Sequence, residues 1–309
     1  MRPLRTAIIG FGKIAADQHV PAIAGNPRFE LAASVSRHSP GPAPHFTSHA
    51  DLLAGMEDLD CVAITTPPGP RYGIARDCID AGLHCLLEKP PTATLGEIVE
   101  LRRLADARRV TLFTTWHAQH NPAVTAAAAL LEGQRVASMQ ITWHESVHKW
   151  HPGQRWVFEA GGFGAFDPGI NALSIATRLF PGSLFVRSAT LQFPENAHTP
   201  IAAEIAMDSP ASDGPIHCSL DWRKEDGEEW TIAVRTAAGR QIELREGGSR
   251  LFVDGAEQDA QGPGEYPDLY RAFADLIDCR QSLVDTDPLR LVADCLLVAE
   301  RTIVEPVIV

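Results

Sequence analysis

The chain has 309 residues, of which 45% are hydrophobic and 21% charged; this suits one large or two ordinary globular domains and is too apolar for a disordered tail. With 27 basic against 39 acidic residues the net charge is −12, which disfavours non-specific binding to nucleic acid or to an acidic membrane surface. No apolar run is long enough for a transmembrane helix, and the six cysteines form no CxxC pair, so they read as buried free thiols of a reducing, cytoplasmic compartment.

Thr6–Ile9 is a short, apolar, β-branched run that suits a central parallel strand. It leads into Gly10-Phe11-Gly12-Lys13-Ile14-Ala15, after which Ile14, Val20 and Ile23 mark a helix. Glycines inside this stretch argue against a signal peptide. G-x-G-x-x-A after a strand and before a helix is a dinucleotide-binding turn: the first glycine makes the turn, the second lets a diphosphate approach, and the small third residue packs helix on strand. Further strands are expected at Leu31–Val35, Cys61–Ile64, Leu83–Leu87 and Thr111–Phe113, with helices over 71–81 and 95–108. Such alternation predicts a parallel sheet covered on both faces, over residues 1–120.

The end of the second strand should meet the adenosine ribose. Strict NAD sites often carry an acid there, but this chain reads Ser36-Arg37-His38. Serine and arginine suit a 2′-phosphate, so NADP is the expected cofactor and NAD a second one.

From about residue 136 the pattern changes. Strands are expected at Val136–Trp143, Leu184–Phe193, Ile201–Met207, Ile216–Trp222, Trp230–Val234, Gln241–Leu244 and Arg250–Val253, many beside turn residues, which predicts a mainly antiparallel sheet. Helices are expected over 168–180, 267–279 and 288–303.

Three polar clusters stand out. Glu88-Lys89-Pro90 follows a parallel strand at the edge where ligands bind, and a lysine there favours a developing alkoxide. Asp167-Pro168-Gly169-Ile170-Asn171 opens a helix; Asp167 either caps it or, from its first turn, shares a face with Asn171. His117, and the stretch His144-Glu145-Ser146-Val147-His148-Lys149-Trp150-His151, mix aromatic, histidine and carboxylate side chains. The spacing is not that of a metalloprotease-type metal motif, and aromatic faces with polar groups suit a sugar better.

Taken together, Gly10–Ala15, Thr66-Pro67-Pro68, Ala81-Gly82-Leu83-His84 and Glu88-Lys89-Pro90 resemble the Gfo/Idh/MocA oxidoreductase family along nearly the whole chain. Thr115-Trp116-His117, Trp150–Gln154, Gly161-Gly162, Phe166–Ser174 and Tyr266-Pro267 are similar to its aldose 1-dehydrogenase branch, of the L-arabinose and D-galactose type. The resemblance implies an α/β Rossmann domain (1–120), then an α+β domain with an open, mostly antiparallel sheet for substrate binding and oligomerisation (121–309). It implies Lys89 and Asp167 as catalytic residues, and Asn171, Glu145, His151, His117 and Trp150 as sugar-site residues. Gly10, Gly12, Lys13, Ile14, Ser36, Arg37, Thr66, Pro67, Glu88 and Lys89 would serve the cofactor. Many relatives carry histidine four residues after the aspartate; Asn171 stands there instead, which argues against an aspartate–histidine relay.

The expected reaction is oxidation of the anomeric carbon of a free aldose to its lactone. Oxidation of an inositol or of another sugar carbon, and a non-catalytic nucleotide or sugar sensor, are the alternatives. The exposed face of the second sheet is expected to be covered by a homodimer.

Overall fold

The computed structural model describes residues 2–37, 41–42, 44–180 and 183–309; His38 of the ribose-site turn lies outside them. Two compact units form, one from Met1–His117 with Pro263–Thr286, the other from Ala118–Gly262 with Asp287–Val309.

In the first unit, β1 (Leu4–Ile9), β2 (Phe29–Val35), β3 (His45–Phe46), β4 (Cys61–Ile64), β5 (His84–Leu87) and β6 (Leu112–Thr114) are ordered β3-β2-β1-β4-β5-β6. All five pairings between neighbours in this order are parallel. This is the doubly wound order that puts a ligand crevice beyond the carboxyl ends of the central strands. Helix Leu95–Arg108 begins with a capping box: Thr94 accepts from Glu97 N–H, and the Glu97 carboxylate accepts from Thr94 N–H. Helix Glu265–Cys279 presents Tyr266, Leu269, Tyr270 and Phe273 on one face, at the i, i+3, i+4, i+7 spacing of an amphipathic helix. That face buries against Ile8, Phe29, Leu86 and Phe113, each such side chain contributing about 1.5–3 kcal/mol.

In the second unit, β7 (Val136–His144), β8 (Phe185–Pro194), β9 (Ala202–Asp208), β10 (Ile216–Asp221), β11 (Glu229–Thr236), β12 (Gln241–Arg245), β13 (Arg250–Val253), β14 (Ala256–Gln258) and β15 (Glu300–Val304) form one sheet. Its order is β14-β13-β12-β11-β7-β10-β9-β8-β15, antiparallel except at β7–β10 and β8–β15.

Two local expectations need correction. The helix expected over 288–303 spans Asp287–Val298, and Glu300–Val304 instead pairs with β8. Thr302, Ile303 and Val304 are β-branched, and the open edge of β8 supplies partners that a longer helix would forgo. Asp167 is also not a helix cap. Helix Phe166–Leu179 is preceded by Ala165 at the cap position, so Asp167 sits inside the first turn rather than at the cap.

Candidate functional site

The first unit builds a nucleotide cradle. β1 is followed by Gly10 with φ of +100°, and a Cβ there would sit 2.6 Å from the Thr66 nitrogen, so no side chain fits. The N–H groups of Gly10 and Phe11 both donate to Val35 O, tying the turn to β2. A Cβ on Gly12 would meet nothing closer than 3.9 Å, which leaves space over that backbone. Thr66 Oγ1 is buried without a partner in the protein, an orphaned polar atom beside the glycine turn. Open backbone and an unsatisfied hydroxyl together fit a bound dinucleotide diphosphate.

Around this cradle Ile14 and Pro67 are exposed, and Lys13 is exposed with an ion pair to Asp17. Ser36 is half-buried at the end of β2 with its N–H bonded to Phe46 O, and Arg37 projects into solvent. Arg71 was not foreseen. Its guanidinium, on a residue only 2% exposed, donates to the carbonyls of Thr66, Glu88 and Pro90 and so clamps the loops after β4 and β5 together.

Behind Lys89 lies a buried polar network. The Lys89–Pro90 peptide is cis, and Lys89 N–H donates to Glu88 Oε2 at 2.9 Å. Glu88 Oε1 accepts from Tyr266 (2.7 Å) and from His19 Nε2 (3.1 Å), and His19 Nδ1 meets the Tyr270 hydroxyl at 2.8 Å. His19 gets there through a π-turn over Ala15–His19, in which Val20 N–H reaches Ala15 O. Pro21 follows and has no N–H with which to continue the α pattern. Burial alone would raise the Glu88 pKa. Hydrogen bonds from His19 and Tyr266, with the charges of His19 and His117, outweigh it and hold this carboxyl far below its ordinary range. Glu88 is thus a buried anion supporting the Lys89 backbone. His117 bonds Glu265 at 2.8 Å and stacks on Tyr266. Burial lowers its pKa, but Glu265, with help from Glu88, raises it overall.

The second unit carries the other predicted residues. Gly164, at φ +54°, turns the chain into helix Phe166–Leu179; a Cβ there would lie 2.2 Å from Pro200 O. Gly169 lets the helix press onto Leu220 of β10. Asp167 and the half-buried Asn171 follow four residues apart on that helix, on one face.

β-sheet register brings the aromatic residues to Glu145. Asp221 of β10 pairs with His144 of β7, so Trp222 and Glu145 follow side by side, and Trp230 of β11 pairs with Trp143. Trp222 donates its indole N–H to Glu145 Oε1 at 3.1 Å, and Trp230 donates to Oε2 at 2.8 Å. Trp230 stacks on Trp143 and lies tilted against the exposed Trp150. Glu145, 5% exposed, therefore organises an aromatic wall. Trp222 and Trp230 were read only as strand residues. Their meeting depends on register across three strands, which no local pattern carries.

His151 packs edge-on against Trp222, and its Nε2 lies 3.3 Å from Asp167 Oδ2. An aspartate–histidine pair thus exists despite Asn171, with the histidine arriving from a different segment.

Comparison with known proteins agrees with both halves. Residues 4–116 match the Gfo/Idh/MocA family, described as an oxidoreductase family with an NAD-binding Rossmann fold. The chain is 42% identical to a galactose 1-dehydrogenase of Pseudomonas fluorescens over 99% of each chain. It superposes on a crystal structure of a D-galactose-1-dehydrogenase from Rhizobium etli with a TM-score of 0.94, at 43% identity, covering 100% of this chain and 99% of that one. A 3-ketoreductase from Actinomadura kijaniata in complex with NADP shares the fold at a TM-score of 0.81 and 18% identity, over 98% and 99% of the two chains.

Proposed function

Because the chain belongs to the Gfo/Idh/MocA oxidoreductase family, we propose that it is an NAD(P)-dependent dehydrogenase that oxidises the anomeric carbon of a free aldose of the L-arabinose and D-galactose type. The observation that carries this reading is near full-length kinship to a galactose 1-dehydrogenase in a chain that carries Lys89, Asp167 and Asn171.

The oxidised nicotinamide, when bound, supplies the hydride acceptor. Gly10, Gly12, Ile14 and Lys13 line the diphosphate turn, with Thr66 and Pro67 opposite, and Ser36 and Arg37 favour the 2′-phosphate of NADP over plain NAD. Asp167 takes the proton from the C1 hydroxyl as the C1–H bond breaks, and C1=O forms, giving the lactone. Lys89 stabilises the developing oxyanion, its backbone held by Glu88. Asn171 orients the C1 hydroxyl or its neighbour. Trp150 and the wall behind it cover the apolar face of the sugar, while Glu145, His151 and His117 read hydroxyls. L-arabinose and D-galactose share ring stereochemistry at C1 to C4, so both are substrates, whereas D-glucose leaves polar groups unpaired at C4.

Five of the six cysteines are buried free thiols, which supports a cytoplasmic setting. Exposed Ile303 on the edge strand β15, with Leu297 and Val298 just before it, supports a homodimer through the second sheet, to be checked by sedimentation.

The deciding experiment is a panel of free aldoses with NAD and NADP, with product analysis. Lactone or aldonic acid from D-galactose and L-arabinose is expected, with D-glucose well behind. Asp167→Asn and Lys89→Ala should each lower kcat by about 10²–10⁴-fold. A ketose or inosose product, or no reduced cofactor with any sugar, would overturn the reading.

A further inference from the structure

The orientation of His151 is set by a chain of groups whose hydrogen-bonding roles have one solution. An indole nitrogen only donates, so Trp156 Nε1–H, 3.1 Å from Gln154 Oε1, requires the amide oxygen on that side. The same oxygen lies 3.2 Å from His151 Nδ1. An amide oxygen only accepts, so Nδ1 carries a proton. Nε2 is then the nitrogen left to accept a proton, and it points at Asp167 Oδ2, 3.3 Å away. A carboxylate also only accepts, so the two facing atoms are acceptors ready for a proton, and one proton arriving between them satisfies the pair as neutral imidazole with carboxylic acid or as imidazolium with carboxylate.

We propose that His151 is a proton-relay residue for Asp167, oriented by Gln154 and Trp156. The proposal rests on the reading of Asp167 as the base in aldose oxidation. The O–H bond of the C1 hydroxyl breaks and its proton bonds to Asp167. That new Oδ2–H bond then breaks as the proton bonds to His151 Nε2, restoring the carboxylate and leaving an imidazolium. With a side chain 19% exposed against 12% for Asp167, His151 is the more open of the two and hands the proton to water. The hydride leaves C1 with its electron pair for the nicotinamide, so charge and atoms balance. Trp222 and Trp156 cover His151 edge-on, 5.2 and 6.2 Å away between ring centres. Neither ring titrates, so across these contacts Asp167 is the ionisable partner.

Two measurements test this. The first needs no turnover: nitrogen NMR of the ¹⁵N-histidine-labelled protein, with the His151 signals assigned by comparison with His151→Gln. The expected result is that Nδ1 keeps its proton throughout a pH titration while Nε2 gains and loses one. A neutral form protonated at Nε2 would overturn the proposal. The second is kinetic, with D-galactose. His151→Gly should lose about 10²-fold or more in kcat with KM changed little, and added imidazole should restore part of the rate. Gln154→Leu should also lower kcat, without rescue by imidazole, because its own imidazole is still in place. A rise in KM at constant kcat, or no rescue of His151→Gly, would make His151 a sugar ligand only and overturn the relay. If the wild-type protein oxidises no aldose, the assigned reaction fails, while the tautomer measured by NMR still decides the relay geometry.

Discussion

Replacing Glu145 by glutamine preserves shape and removes a charge, and the structure makes this near-isosteric change costly. Each carboxylate oxygen accepts one indole N–H, from Trp222 and from Trp230. Glutamine offers one oxygen and one NH2 group, so whichever way it turns, an NH2 faces an indole N–H, donor against donor. Trp222 is fully buried and has no water to turn to. A buried donor left unsatisfied costs about 1–3 kcal/mol. For a unit of this size, Tm falls by about 2–4 °C per kcal/mol. Thermal unfolding of Glu145→Gln should therefore show a drop of several degrees, with a shift in tryptophan emission as the wall loosens. The Trp230→Phe background isolates the cause. Phenylalanine has no N–H, so the glutamine oxygen can face Trp222 and the NH2 can face a ring; the cost of the Gln substitution should then shrink to near zero. A Glu145→Gln protein with wild-type Tm, or a cost unchanged in the Trp230→Phe background, would refute the donor–donor argument.

Three further outcomes follow from the geometry. Arg37→Ala should lower kcat/KM for NADP by about tenfold or more through loss of a charge-assisted phosphate contact and leave NAD nearly unchanged; equal effects on the two cofactors would remove Arg37 from the 2′-phosphate site. Gly164→Ala should be among the most damaging small substitutions, because it combines a left-handed φ, costing about 1–2 kcal/mol in a residue with a Cβ, with a carbon 2.2 Å from Pro200 O; the check is Tm together with kcat, since this turn leads directly to Asp167. For pH, His117 has a folded pKa above its ordinary 6.5, so its stabilisation is present below that value and is lost as pH rises through the raised one. Glu88 has a depressed pKa, so its stabilisation is present above its ordinary 4.5 and lost only as pH falls far into acid. Tm measured against pH should decline on the alkaline side, and His117→Gln should flatten that decline; an identical alkaline slope in the variant would refute it.

Local chemistry made the first unit legible from sequence. A β-branched run, a G-x-G-x-x-A turn and helix–strand alternation each act over a few residues, and the parallel sheet appears where they place it, down to helix Leu95–Arg108. The same holds for most strands of the second unit, whose alternation of apolar and polar residues reports one buried face. Lys89 and Asp167 drew notice for a similar reason, one following a strand end and the other opening a helix, and the fold leaves Lys89 half-buried and Asp167 buried. Tertiary pairing decided the rest. Residues 300–304 are a strand because the free edge of β8 is there to receive them. Arg71 becomes a clamp because three carbonyls from two separate loops converge on one guanidinium. Trp222, Trp230 and Glu145 meet through the register of β7, β10 and β11, and His151 reaches Asp167 across a break in sequence that no period spans. The missing histidine at position 171 shows the difference well: sequence spacing sees that the neighbour is gone, but only folded distances reveal that a histidine from another segment has come to stand by the same carboxylate.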